Sequence, residues 1–305
     1  MQVVGTLCKT VCMKLSHSYK VRRRGRRRKI DIRGVQYNVT EWGDASAPLF
    51  IYLHGWADTG TTFQFVADAL NMDWRIVAPD WRGFGRSMAD CTSYWFPDYL
   101  ADLHELLEIY SPDQPASIVG HSMGGNIAAL YAGTMPERVR AIVNVEGFGL
   151  VDSDPANAPL RYRQWIEAGR AVPAFSVYPD VHALTTRIAK RNPLMSVAQA
   201  GFVARAWSIE TGDGRIELRA DPRHKLPNPV LYRRAEAEAC WKAIKADTLL
   251  VKGGTSDLAR RFDSVDGISC PGDETVVIDG VGHMPHFEAP RKLANIIEAF
   301  LIKYL

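Results

Sequence analysis

Six short apolar runs, each closing on Gly, Asp or Ser, constrain this chain most: "LFIYLHG" (49–55), "WRIVAPD" (74–80), "ASIVGHS" (116–122), "VRAIVNVEG" (139–147), "TLLVKGG" (248–254) and "ETVVIDG" (274–280). Runs of this length without polar alternation suit strands buried on both faces of a parallel sheet. Helix-like segments at 61–71, 97–110 and 123–134 supply the crossovers that parallel strands need. Upstream, "KIDIRGVQYNVTEWG" alternates apolar and polar residues, as two strands around a Gly34 turn would. The expected fold is α/β, a doubly wound, mostly parallel sheet.

One interval breaks the rhythm. Residues 151–245 contain "APLRYRQWIEAGRA", "DVHALTTRIAK", "SVAQAGFVARAWSIE" and "VLYRRAEAEACWKAI", which read as helices. A connection of this length is structured in its own right, so it is expected to be an inserted helical cap. The division that follows is a basic leader at 1–29, expected to be disordered, a core of 30–150 and 246–305, and a cap of 151–245.

The 305 residues are 47% hydrophobic, enough for a sizeable core, and no apolar run approaches the roughly 20 residues that span a bilayer. The net charge of +3 hides an asymmetry. Ten Lys or Arg and no acid fall within residues 1–29, which leaves 27 basic against 34 acidic residues in the body. An acidic body argues against nucleic acid as the partner of the core, and "VRRRGRRRK" is the only basic block. That leader is Arg-rich and acid-free, compatible with organellar targeting; otherwise a cytoplasmic location is expected. Five cysteines (Cys8, Cys12, Cys91, Cys240, Cys270) form no C-x-x-C pair, and their odd number argues for a reducing compartment. Oligomeric state is not legible.

Chemistry concentrates at the strand ends. Gly120-x-Ser122-x-Gly124 lies between an apolar strand and the helix-like "MGGNIAALYAG", the setting of a nucleophile elbow. A serine hydroxyl needs a base held by a carboxylate. "VIDGVGHMPHFEAP" offers His283 beyond the last strand, with His286 as a rival three residues on. Asp257 in "LLVKGGTSDLA" is the favoured acid, and Glu146 in "VNVEGFGL" is the alternative. Asp257 also suits a helix N-cap. Backbone N–H groups of Met123, after the nucleophile, and of Trp56 in "YLHGWADTG" are the candidate oxyanion hole, with His54 and Gly55 shaping the turn.

Together "HGW", "DWRGFGRS", "GHSMGG", "GGTSD" and "GVGHMPHFEAP" resemble the α/β-hydrolase superfamily, in its capped esterase, epoxide hydrolase and C–C hydrolase branch, from about residue 31 to the C-terminus. The resemblance implies that Asp80, Arg82 and Gly83 are structural, that Gly85 eases the turn, and that Asp257 holds the acid position. Epoxide hydrolases and dehalogenases of the superfamily carry aspartate at the elbow, so Ser122 argues against both. The expected activity is hydrolysis of a small to medium carboxylic ester or related acyl compound by Ser122, His283 and Asp257, with a small-molecule substrate and no cofactor or metal. A C–C bond hydrolase of a diketone-type ring-cleavage product would use the same residues plus a cap arginine for a substrate carboxylate. Arg161, Arg163, Arg187, Arg191 and Arg205 are its candidates. A non-catalytic ligand receptor is the reading from another class. Trp165, Phe175, Tyr178, Phe202 and Trp207 are candidate pocket walls or cap core.

Overall fold

The computed structural model describes residues 18–171, 173–264 and 271–305. Ten strands are present among them: β1 (Arg26–Ile32), β2 (Val35–Trp42), β3 (Leu49–Leu53), β4 (Arg75–Pro79), β5 (Ala116–His121), β6 (Val139–Val145), β7 (Ser208–Glu210), β8 (Ile216–Leu218), β9 (Asp247–Gly253) and β10 (Glu274–Ile278). Eight form one sheet in the order β1-β2-β4-β3-β5-β6-β9-β10. β1 and β2 pair antiparallel, β2 meets β4 antiparallel, and the remaining pairs are parallel. This is the α/β sheet that the apolar runs demand.

Both faces of that sheet are covered, which explains the absence of polar alternation. Ile51, Leu53, Ile118 and Ile142 point into one cluster with Leu103 and Ile127. Their neighbours Phe50, Tyr52, Val119 and Val143 enter the opposite cluster with Trp74 and Ile297. The helices are α1 (Gln64–Ala67), α2 (Phe96–Tyr110), α3 (Met123–Thr134), α4 (Ala158–Ala168), α5 (Val181–Arg191), α6 (Val197–Trp207), α7 (Arg234–Lys242), α8 (Asp257–Asp263), α9 (Pro285–Glu288) and α10 (Pro290–Leu301). Helices α2 and α3 supply the first layer, and α1 and α10 the second. Burial of this kind contributes about 25 cal/mol per Å² of apolar surface, and the sheet gains it on both faces.

The stretch between β6 and β9 holds α4 to α7 together with the β7–β8 hairpin, which the helical reading of this stretch omits. "SIETGDGRIEL" turns on Gly214 at φ +80°, a left-handed position suited to glycine. The reading of residues 1–29 as one disordered leader also needs correction. Arg26–Lys29 belong to β1, paired with Asn38–Glu41 of β2. Before them, Tyr19 packs edge-on against Phe65 and Phe202, and its hydroxyl donates to Asp68 Oδ2 at 2.8 Å. The Arg22 and Arg23 backbone N–H groups donate to Asp68 Oδ1. Buried Asp68 is thus the peg on which this basic segment hangs. Cys8, Cys12 and the rest of 1–17 lie outside the described residues.

Candidate active site

Ser122 joins β5 to α3 with φ 51° and ψ −114°, a strained conformation for a residue with a side chain. The flanking glycines are required by close approach. A Cβ at Gly120 would meet Gly124 O at 2.5 Å, and one at Gly124 would meet Leu53 O at 2.1 Å. The tight turn therefore exists only with glycine on both sides, and it lifts the hydroxyl clear of the strand.

His283, between β10 and α9, faces this hydroxyl. Its Nε2 lies 3.1 Å from Ser122 Oγ, and its Nδ1 lies 3.0 Å from Glu146 Oε2. A carboxylate only accepts, so Nδ1 carries the proton and Nε2 offers its lone pair to the serine. Glu146 stands just past β6 at φ 59° and is fully buried. Gly253 N–H donates to its Oε1 at 2.6 Å, and Ser256 Oγ–H donates to its Oε2 at 2.5 Å. The carboxylate is thereby hydrogen-bonded on both oxygens, as burial of a charge requires.

Asp257 is not in this line, which corrects the favoured position of the acid. It is the first residue of α8, its side chain is 96% exposed, and Arg260 Nη2 donates to its Oδ1 at 2.5 Å. Ser256, not Asp257, caps that helix by accepting from Ala259 N–H at 3.2 Å. As the first helical residue, Asp257 still complements the helix dipole. His286 also stands apart from the serine; it is fully buried, with Nε2 3.2 Å from Asp58 Oδ2.

The loop 54–58 runs beside the nucleophile: a Cβ at Gly55 would come within 3.3 Å of Ser122 Cβ. Trp81 N–H donates to His54 Nε2 at 2.8 Å, so His54 Nδ1–H must donate to Gly55 O, 2.7 Å away. Burial lowers the pKa of His54 and keeps that tautomer neutral. The "DWRGFGRS" loop locks the arrangement from behind. Asp80 accepts from Gly60 N–H, Asn38 Nδ2 and Arg86 N–H, while Arg82 donates through Nε and Nη2 to buried Asp102. Met123, directly after the nucleophile, opens α3. Trp56, 49% exposed, lines the cleft in front of His283.

That cleft, about 1090 Å³, opens between the sheet's strand-end loops and the β6–β9 insertion. Phe175, Tyr178 and Trp207 line it; Trp165 does not, and Phe202 packs inside with Phe65 and Tyr19. Of the five candidate arginines, Arg187 and Arg191 of α5 line the cleft, and Lys225 and Arg261 join them. Among the described residues Arg187 and Arg191 have no ion-pair partner. Their spacing of one helical turn puts both on one face.

A strained serine on a strand-to-helix elbow, with a histidine and a buried carboxylate brought to it from later strand ends, defines a class. The chain belongs to the α/β-hydrolase fold family, whose profile matches residues 48–290, and it is a hydrolase. Similar proteins include a serine hydrolase-like protein of Danio rerio, 28% identical over 85% of this chain and 83% of that one. A 3-hydroxybutyrate-oligomer hydrolase of Cupriavidus necator is 30% identical over 83% of this chain and 89% of its own length. Among solved structures, a thioesterase domain from the curacin biosynthetic pathway superposes with a TM-score of 0.80 at 25% identity, covering 90% of this chain and 99% of that domain. No helix among the described residues is long and apolar enough to cross a membrane.

Proposed function

We propose that this hydrolase cleaves carboxylic esters through Ser122, His283 and Glu146, with residues 151–245 acting as the cap over the substrate. The observation that carries the proposal is the continuous line from Ser122 Oγ to His283 Nε2 and from His283 Nδ1 to Glu146 Oε2. Ser122 attacks the ester carbonyl while His283 takes its proton, and Glu146 stabilises the imidazolium and fixes its tautomer. Met123 and Trp56 N–H groups receive the oxyanion, each such donor contributing about 3 kcal/mol. His283 then protonates the departing alcohol and activates the water that releases the acid.

The cationic rim narrows the substrate. Arg187 and Arg191 favour an acyl compound with a free carboxylate, a feature that 3-hydroxybutyrate oligomers, named for the Cupriavidus necator relative, also carry. The same pair satisfies the carboxylate requirement of a C–C bond hydrolase, so that reaction is the second reading. Purified protein tested on short p-nitrophenyl esters, on hydroxyacid oligomers and on a carboxylated diketone separates the two. Ester turnover that disappears in Ser122→Ala is the expected result. Diketone cleavage without ester turnover favours the second reading, and turnover of neither supports a ligand receptor.

A further inference from the structure

Ser122 and His283 sit at the ends of strands that are not neighbours: β6 and β9 lie between β5 and β10 in the sheet. The loop that carries His283 is held on its far side, where Thr255 N–H donates to Val281 O at 2.9 Å and Gly282 N–H to Glu288 Oε2 at 2.7 Å. From the serine's side, among the described residues, one hydrogen bond reaches the backbone of this loop. His121, the last residue of β5, places Nε2 2.8 Å from the carbonyl oxygen of His283. A carbonyl only accepts, so Nε2 carries the proton and donates it. The ring is locked where it lies. His121 is 2% exposed, and the His286 ring packs 4.4 Å away. On the Nδ1 edge stands Gly55, where a Cβ would come within 2.8 Å of that nitrogen. The glycine of "HGW" therefore gives this imidazole its room.

We propose that His121 is a positioning residue that aligns His283 with Ser122 by holding the His283 backbone. This role rests on Ser122 and His283 working as the pair proposed above, whichever compound they cleave. His121 and Ser122 are consecutive, so the bond to His283 O fixes the base against the nucleophile's own backbone. Small errors are costly here, because a misplacement of about 1 Å can lower a rate on the order of 10²-fold. The charge of the donor matters as well. His283 becomes an imidazolium when it takes the serine proton, and its ring lies 5.0 Å from that of His121. A second cation at that distance opposes the first. Burial, with His286 and His283 as neighbours, holds the pKa of His121 well below the ordinary histidine value, so the ring donates without carrying charge.

The test compares His121→Leu, which fills the space and donates nothing, with His121→Gln, whose amide presents a donor near the place of Nε2. In His121→Leu, kcat on a short p-nitrophenyl ester and the rate of fluorophosphonate labelling of Ser122 should both fall on the order of 10²-fold, with KM within about threefold. His121→Gln should recover both rates to within about threefold of the wild type. In a Glu146→Gln background His121→Leu should cost less than about threefold, because both residues act through His283. In crystals, the His283 ring should shift from Ser122 by about 1 Å or more in His121→Leu and keep its place in His121→Gln. Full activity in His121→Leu, a loss that His121→Gln does not recover, or an unmoved His283 ring overturns the proposal. A chain that cleaves no ester defeats the ester reading alone, since labelling and ring position still decide the role of His121. Should the leucine variant not fold, His121→Asn, whose shorter amide falls short of the carbonyl, takes its place.

Discussion

His283 reaches Glu146 at 3.0 Å across 137 positions of sequence, while Asp257, only 26 positions away, points into solvent. The distinction fixes which carboxylate should matter. An amide in place of Glu146 keeps the shape but favours the wrong imidazole tautomer, a change that lowers kcat about 10⁴-fold in a serine protease. Glu146→Gln should lose on the order of 10³- to 10⁴-fold in kcat, and Asp257→Asn should stay within a few-fold. Steady-state kinetics on one soluble ester decide it; the reverse ranking would sink the assignment of Glu146.

Ser122→Ala should abolish ester hydrolysis with little change in the unfolding midpoint, because the strained turn is held by Gly120 and Gly124 and not by the hydroxyl. A fluorophosphonate should label the wild type at Ser122 alone. Labelling of another serine with activity intact in the variant would exclude it as nucleophile.

Why Asp257 misleads is a matter of direction, not distance along the chain. Gly254-x-x-Asp257 places it on the loop after β9, but as the first residue of α8 its side chain turns outward, and Ser256 of the same loop takes both the helix cap and a bond to Glu146. The signal for Glu146 was present in "VNVEG": an acid ending a doubly buried strand must find donors. Its partners Gly253 and Ser256 come from another strand and its loop, which a linear pattern does not reveal. The sheet strands, by contrast, were legible because two-sided burial writes itself as continuous apolar sequence. The peg at Asp68 was not, since a run of arginines looks alike whether solvated or anchored.

That anchoring is testable. Asp68→Ala leaves Tyr19 Oη and the N–H groups of Arg22 and Arg23 without their side-chain acceptor, and Gln64 Nε2 with Arg23 O alone. Buried groups so stranded cost about 1–3 kcal/mol each, partly relieved by water, so a loss of roughly 3 kcal/mol is expected in urea denaturation. Deleting residues 1–29 should cost more, because it also removes Arg26–Lys29 from β1. A deletion variant as stable as the full chain would refute the role of this segment.

The cleft arginines predict selectivity. Arg187→Ala combined with Arg191→Ala should raise KM roughly tenfold for an ester with a free carboxylate and leave a neutral ester of equal size within about twofold. For the wild type, added salt should raise KM for the charged ester only, since exposed charges are screened over about 10 Å at 0.1 M. Equal effects on both esters would show that the pair does not read charge.

The last expectation concerns acid. His224, in the β6–β9 insertion, is stacked between Phe84 and Tyr94 of the core, with ring centroids 3.7 Å from each. Burial lowers its pKa to about 4, against about 6.5 in an unfolded chain. Between those values the unfolded chain holds a proton that the folded chain refuses, so stability is fully present above about pH 6.5 and drains away as the pH falls towards 4. At pH 5 this one group should account for roughly 2 kcal/mol of lost stability. His224→Phe keeps the stack and removes the titration. Denaturation at pH 7.5 and pH 5 should therefore show a drop in the wild type that exceeds the variant's by that amount. Because His224 clasps the insertion to the sheet, the same acidification should loosen the cleft first, read as earlier proteolysis within residues 151–245. Identical pH dependence in the two proteins would place the acid sensitivity elsewhere.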